Sequence, residues 1–210
     1  KLYTSTAHKI NTNVPYTYTY LGVDKKQTDT LIASSTLSLI KAKDVINLCY
    51  AGSLGNSYDF NNILNALKYI HFHGIKYKMY FIGEGEKRKD IEKFAKDNNL
   101  NVEITGRLSY QNYLKYLSIC DIGFNSFKKG TMVVHSYKFN DYCACGLFVF
   151  NNLVGETSEM VFNYDIGVNY NDRDLSDKLL NTCHNWEHYN VKRNHIDLLI
   201  KNELDSQTIY

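Results

Sequence analysis

Short apolar runs alternate with helical stripes along most of this chain. Val45 to Tyr50 is an apolar run stopped by Gly52-Ser53-Leu54-Gly55, and a helical pattern follows from about Asp59 to His71. Lys78 to Ile82 reads as a second strand, closed by Gly83-Glu84-Gly85, with a helix from Glu86 to about Asn98. Val102 to Thr105 is a third strand, stopped at Gly106-Arg107, and Ser109 to Cys120 a third helix. Asp121 to Phe127 is a fourth strand followed by a polar loop. A helix then begins near Ser136 and ends at Cys145, where Gly146 supplies a stop. Leu147 to Asn151 and Val168 to Tyr170 read as two further strands, with helical material over Leu175 to Asn185 and Val191 to Leu204. Such repeated units predict an α/β fold, a parallel sheet with helices on both faces. Ligands of such sheets sit outside the carboxyl ends of the strands. The segments at Gly52–Gly55, Gly83–Gly85, Gly106–Arg107 and Lys128–Ser136 therefore converge on one crevice.

Residues 1–44 read differently, as an interdomain linker with a short strand, ahead of a domain over 45–205. Tyr16-Thr17-Tyr18-Thr19-Tyr20 alternates like a half-buried strand. Leu21-Gly22-Val23-Asp24 marks a turn, and a short helix is expected around Leu31 to Lys41.

With 44% apolar and 22% charged residues and a net charge of +2, the 210-residue chain has an ordinary globular composition. No Lys/Arg tract supports nucleic-acid binding, and no apolar run approaches a membrane span. The chain opens on Lys1, which reads as a boundary, not a natural start. Cys49, Cys120, Cys143, Cys145 and Cys183 lack framework spacing, which argues for a reducing compartment. Cys143 and Cys145 have no second ligand pair, so they read as small buried helix residues, and no metal is expected. The abundance of Tyr, Asn, Lys and Ile hints at an AT-rich, bacterial coding sequence.

Gly52-Ser53-Leu54-Gly55 allows either a close approach of backbone amides to a phosphate or simply a tight turn. Gly83-Glu84-Gly85-Glu86 opens like a dinucleotide fingerprint, but Arg88 replaces its third glycine and two carboxylates would repel a pyrophosphate. Arg107, just past a strand end, places a planar fork where an anion could be met. Lys138 lies in the first turn of a helix, against the helix dipole, unless an anion bridges the two. Asp141, three residues on, can accept hydrogen bonds from a ribose or form an exposed pair with Lys138. Lys87-Arg88-Lys89 reads as a solvated face, and His71 and His73 as groups at a helix end. His135 lies in the crevice loop. No nucleophile–base arrangement marks a hydrolase.

Tyr50-Ala51-Gly52-Ser53-Leu54-Gly55-Asn56-Ser57-Tyr58-Asp59 resembles the group-1 type of glycosyltransferase, a GT-B class of retaining enzymes. Further segments match in the family's order: Leu21–Asp24, Phe81–Glu86, Thr105–Leu108, Tyr137–Gly146, Gly155-Glu156 and Asp165–Gly167. The resemblance implies a Rossmann-like donor-binding domain, the C-terminal half of a GT-B fold, that binds a nucleoside-diphosphate sugar without a separate cofactor. By the same resemblance Gly106, Arg107 and Leu108 hold the base and Asp141 the ribose. Lys138 lies near the diphosphate and sugar, with Gly52 and Ser53 close to the phosphates and Gly83 and Gly85 in the adjoining loop. Ser53 and Tyr58 stand where many members carry an Arg and a Lys. Val133 and Asp141 stand where many carry a pair of Glu.

The resemblance further implies an N-terminal acceptor domain as partner, a glycan or lipid-linked acceptor, and work on capsule or O-antigen at the cytoplasmic face of a membrane. Ile209-Tyr210 resembles the start of the helix that crosses back to that domain. Without it, the 210-residue chain is expected to bind donor but not to transfer sugar. A nucleotide-sugar epimerase of the same fold and a non-enzymatic nucleotide-binding module remain alternatives.

Overall fold

A computed structural model describes residues 22–131, 133 and 136–205. The strand expected at Tyr16–Tyr20 and the terminal Ile209-Tyr210 lie outside these. Six parallel strands, β1 (Ile46–Ala51), β2 (Tyr77–Ile82), β3 (Val102–Ile104), β4 (Ile122–Asn125), β5 (Phe148–Asn151) and β6 (Gly167–Asn169), form one sheet in the order β3-β2-β1-β4-β5-β6. This is the doubly wound arrangement, with its switch point between β1 and β4.

Period-two alternation divides the strands between two cores. Leu48, Tyr50, Met79, Phe81, Phe124 and Phe150 face helices α2 (Phe60–Phe72), α3 (Arg88–Asp97) and α7 (Leu175–His184). Cys49, Ala51, Tyr80, Ile82 and Val149 face α4 (Tyr110–Ser118), α5 (Tyr137–Ala144), α6 (Glu156–Asn163) and the C-terminal turns at Ile196 to Leu204. Strands buried on both faces read as continuous apolar runs, which is why the sequence pattern shows them clearly.

Helix starts follow the side chains that can cap them. Asp59 accepts from the Asn62 N–H and Ser109 from the Asn112 N–H, so α2 and α4 begin one residue after each. The same logic moves the helix expected at Leu31–Lys41. Asp24 accepts from the Gln27 N–H and starts α1 at Lys25, and α1 ends at Ala33, where the Ser34 hydroxyl turns back to the Leu31 carbonyl. Beyond it, residues 35–42 are not helical. Residues 22–44 rest on the main body, with the Val23 N–H donating to the Leu204 carbonyl at 2.6 Å.

One other expectation changes. Helix α6, which joins β5 to β6, lies where the pattern showed no helix, whereas Val191 to Leu204 is helical as expected, in short 3-10, α and π segments that follow one another. α8 (Trp186–Val191) leads into this series. Asp121, only 1% exposed, locks the amino ends of the sheet. Its carboxylate accepts from the Asn47 N–H at 2.9 Å and Arg193 at 3.1 Å, and it pairs with Lys41.

Candidate functional site

The sheet opens at its switch point. β1 pairs with β2 along its whole length, but with β4 only at Leu48–Ile122 and Cys49–Gly123. Past Cys49 the two strands diverge, and the Tyr142 side chain fills the gap. Its hydroxyl accepts from the Ala51 N–H at 2.9 Å and donates to the Phe124 carbonyl at 3.1 Å. Gly123 makes room for the ring, since a Cβ there would lie 2.7 Å from Tyr142 Cδ2. At the carboxyl ends of β4, β5 and β6, Asn125, Asn151 and Asn169 join side chain to side chain at 2.8 Å.

A cleft of about 670 Å³ lies over the divergence. Of the sequence candidates, Gly52, Ser53, Gly83, Arg107, Leu108, Lys138 and Asp141 all line it. Gly85 does not. It lies against the preceding loop, where a Cβ would approach the Leu54 carbonyl oxygen to 2.5 Å. Gly83 has a related packing role, with φ of +152° and a virtual Cβ 1.9 Å from the Gly52 carbonyl oxygen. The two glycine loops therefore zip together. The Gly52 N–H donates to the Ile82 carbonyl and the Leu54 N–H to the Glu84 carbonyl, each at 2.9 Å. Those two amides are engaged, and Asp59 already occupies the N-terminus of α2.

The N-terminus of α5 is different. Ser136 stands at its cap position without a side-chain hydrogen bond to the helix's first turn, and it lines the cleft. The positive end of that helix faces the cavity. Lys138, in the first turn, is only 8% exposed. Its ammonium lies 4.1 Å from the Tyr58 ring centroid, 4.4 Å from Phe127 and 4.8 Å from Tyr50. Burial pulls its pKa down to about 7. It forms no ion pair among the described residues, and Asp141 is not its partner. Asp141 instead accepts from Tyr110 at 3.0 Å and Tyr113 at 2.8 Å. Burial raises its pKa, and the two tyrosine hydrogen bonds oppose that rise. Arg107 stands exposed at the rim.

Glu84 also lines the cleft, but its carboxylate is paired with Arg88 at 2.6 Å. Arg88 thus turns toward the loop as well as toward Glu92, so the expected Lys87-Arg88-Lys89 face is only partly a solvent face. His135 lies outside the described residues. Lys128 to Thr131, expected in the crevice, line a neighbouring cavity that meets the cleft at Phe127.

Comparison with known proteins bears on this geometry through structure alone. No family model and no curated protein matches the sequence. Solved structures do. WaaG, a glycosyltransferase involved in lipopolysaccharide biosynthesis, superposes with a TM-score of 0.66 at 11% identity, over 95% of this chain and 56% of WaaG. Anabaena Alr3699/HepE in complex with UDP gives 0.71 at 12%, over 91% and 54%. The catalytic domain of a cholesterol-α-glucosyltransferase from Helicobacter pylori gives 0.59 at 15%, over 75% and 98%. The fold is that of a GT-B half.

The chain spans about half the length of WaaG and of HepE. At the two positions that depart from the cationic pattern, Tyr58 supplies the ring nearest Lys138, and the backbone carbonyl of Ser53, which any residue there would provide, accepts from the Tyr50 hydroxyl at 2.9 Å. Val133 lines the cleft. Sequence reasoning missed Tyr110, Tyr113 and Phe127 as cleft residues. Tyr110 and Tyr113 stand at the start of the helix after the Gly106–Leu108 loop, a place the strand–helix pattern does locate. Phe127 gave no signal beyond a strand end.

Proposed function

We propose that this chain is the donor-binding half of a glycosyltransferase that takes a sugar from a nucleoside-diphosphate sugar. The observation that carries the reading is Lys138, a buried ammonium without a counter-ion among the described residues, in the first turn of a helix whose capping position is open to the cleft. A cation in such surroundings is costly unless an anion joins it, and a helix N-terminus adds its own attraction for phosphate. Arg107 at the rim adds a second cation, and Asp141 offers acceptor oxygens for sugar hydroxyls. That the similar HepE structure holds UDP supports a nucleotide in this place.

In this reading the diphosphate lies over Ser53 and Lys138, with the base along Gly106 to Leu108 and the ribose toward Asp141. As the sugar leaves, charge grows on the diphosphate, and the fixed helix end and Lys138 are placed to offset it. Transfer with retention, to a glycan or lipid-linked acceptor of the cell surface, follows from the motif resemblance and needs a second, acceptor-binding half.

The test is thermal stabilisation by UDP, GDP, ADP and CDP. A ligand at 100 times its Kd adds roughly 2.7 kcal/mol of stability. Selective stabilisation by one diphosphate, lost in Lys138→Ala and reduced in Arg107→Ala, is expected. A wild-type response that survives both substitutions would rule out this placement.

A further inference from the structure

Both oxygens of the Asp141 carboxylate are occupied by tyrosines of the same helix. Tyr110 donates to Oδ1 at 3.0 Å and Tyr113 to Oδ2 at 2.8 Å, with the two rings stacked at 5.7 Å and 19°. A ligand hydroxyl that approaches this carboxylate therefore meets a phenol already on each oxygen.

The two phenols differ in freedom. Tyr113 sits one turn into α4 and is partly buried, whereas Tyr110 is the first residue of the helix and 54% exposed. Tyr110 also stands between two spaces. It lines the main cleft and a smaller cavity of about 300 Å³ behind Asp141, walled by Asp24, Gln27 and Leu31. Its side chain therefore has somewhere to go.

We infer that Tyr110 is a displaceable stand-in for a ligand hydroxyl and so a specificity-determining residue of this site. A ribose hydroxyl takes its place on Oδ1 while Tyr113 keeps Oδ2 and holds the carboxylate in position. Tyr110 swings toward the smaller cavity. The exchange is nearly even only for a ligand that brings a hydroxyl to that point. One without it either leaves Tyr110 in the way or leaves an acceptor unmet, which is the costlier state. Tyr110 thus competes with a ribose hydroxyl for Oδ1, and without the phenol the site should separate ribose from deoxyribose more sharply. The inference rests on the reading of the cleft as a nucleoside-diphosphate site.

The experiment is calorimetric titration of UDP, GDP, ADP and CDP, and of their 2′- and 3′-deoxy forms, into wild type, Tyr110→Phe, Tyr110→Ala and Tyr113→Phe. Removing the competing hydroxyl should tighten the ribonucleotide in both Tyr110 variants by roughly two- to tenfold, the worth of one net hydrogen bond. The deoxy form missing the relevant hydroxyl should change less. Tyr113→Phe should move the other way and weaken the ribonucleotide by a similar factor. Loss of a merely structural contact would weaken binding in all three variants. If the wild type binds a diphosphate and the Tyr110 variants bind it equally or less well, the stand-in role is overturned and the nucleotide reading survives. If no diphosphate binds the wild type, both fall together.

Discussion

The Lys138 ammonium lies 4.1 Å from the centre of the Tyr58 ring, and that contact organises the cleft. Three ring faces attract the cation, at about 0.5–2 kcal/mol each depending on solvation. They do not replace the water it has lost, as its lowered pKa records. The site therefore holds a cation that is positioned but not neutralised. That is a useful state for meeting an anion and a costly one without it.

The pH dependence follows from the sign of that shift. Lys138 has a pKa of about 7 in the folded chain, against ~10.4 when unfolded. Between those values the unfolded chain binds more protons, so the Lys138 contribution to stability improves as pH rises from about 7 to about 10. Below 7 both states are protonated and the full cost of the buried cation remains. The stability of Lys138→Met relative to wild type should thus be greatest at pH 6 and fall by about 4 kcal/mol by pH 10. Urea denaturation across the range checks this, and a constant difference at every pH would refute it.

Ligand affinity should run opposite to apo stability. A diphosphate prefers the protonated Lys138, so its Kd should rise with pH above about 7, by at most tenfold per unit. Calorimetry of the preferred diphosphate at pH 7, 8 and 9 measures the slope. In Lys138→Arg, which stays charged throughout, the slope should flatten.

Gly83→Ala should be among the most damaging single changes. Its virtual Cβ lies 1.9 Å from the Gly52 carbonyl oxygen, and its φ of +152° is one that L side chains rarely adopt. Neither backbone can shift without breaking the Gly52–Ile82 hydrogen bond. A loss of about 3 kcal/mol or more is expected. Gly74→Ala is the control, with φ of +73° but nothing within 4 Å of its virtual Cβ, and should cost only about 1–2 kcal/mol. Equal losses at the two sites, read from denaturation midpoints, would show that packing between the loops contributes nothing.

These contrasts mark how far the sequence could be read. Strands such as Val45 to Tyr50 were legible because burial on both faces leaves an unbroken apolar run. α1 and α6 were not. α1 depends on the Asp24 cap more than on an apolar stripe, and Thr28 is its only buried residue. α6 starts after Gly155, without a capping side chain. The cleft residues could be placed because each strand end projects to the same edge. Their partners could not be placed, because Lys138 and Asp141 share a helix face and yet separate, one into a set of rings and the other onto two tyrosines. That separation depends on Tyr58, Phe127 and α4, all distant in sequence.

Asp121→Ala tests the opposite edge of the sheet. The carboxylate is buried and engaged by Arg193, Lys41 and the Asn47 N–H. Removing it leaves a partly buried guanidinium and a backbone donor without their acceptor, a class of change that costs about 3 kcal/mol. Because the site is at the amino ends of the strands, nucleotide affinity at the carboxyl ends should stay within about twofold, so long as the variant is folded. A large fall in affinity in folded protein would show that the two edges are coupled.

Tyr142→Phe removes a single oxygen from the point where β1 and β4 part. The Ala51 N–H and the Phe124 carbonyl both lose a buried partner, at a cost of about 1–3 kcal/mol. The ring itself is kept, so the core around Gly123 should stay filled. What should change is the local stiffness of the strand end that leads into Gly52. Amide exchange at Ala51 should accelerate well beyond the global change in stability, and diphosphate affinity should fall, because the Gly52–Ser53 wall of the cleft hangs from that residue. If Ala51 exchange follows only global unfolding, the hydroxyl is not what holds the two strand ends in place, and the width of the cleft is set by the Tyr142 ring alone.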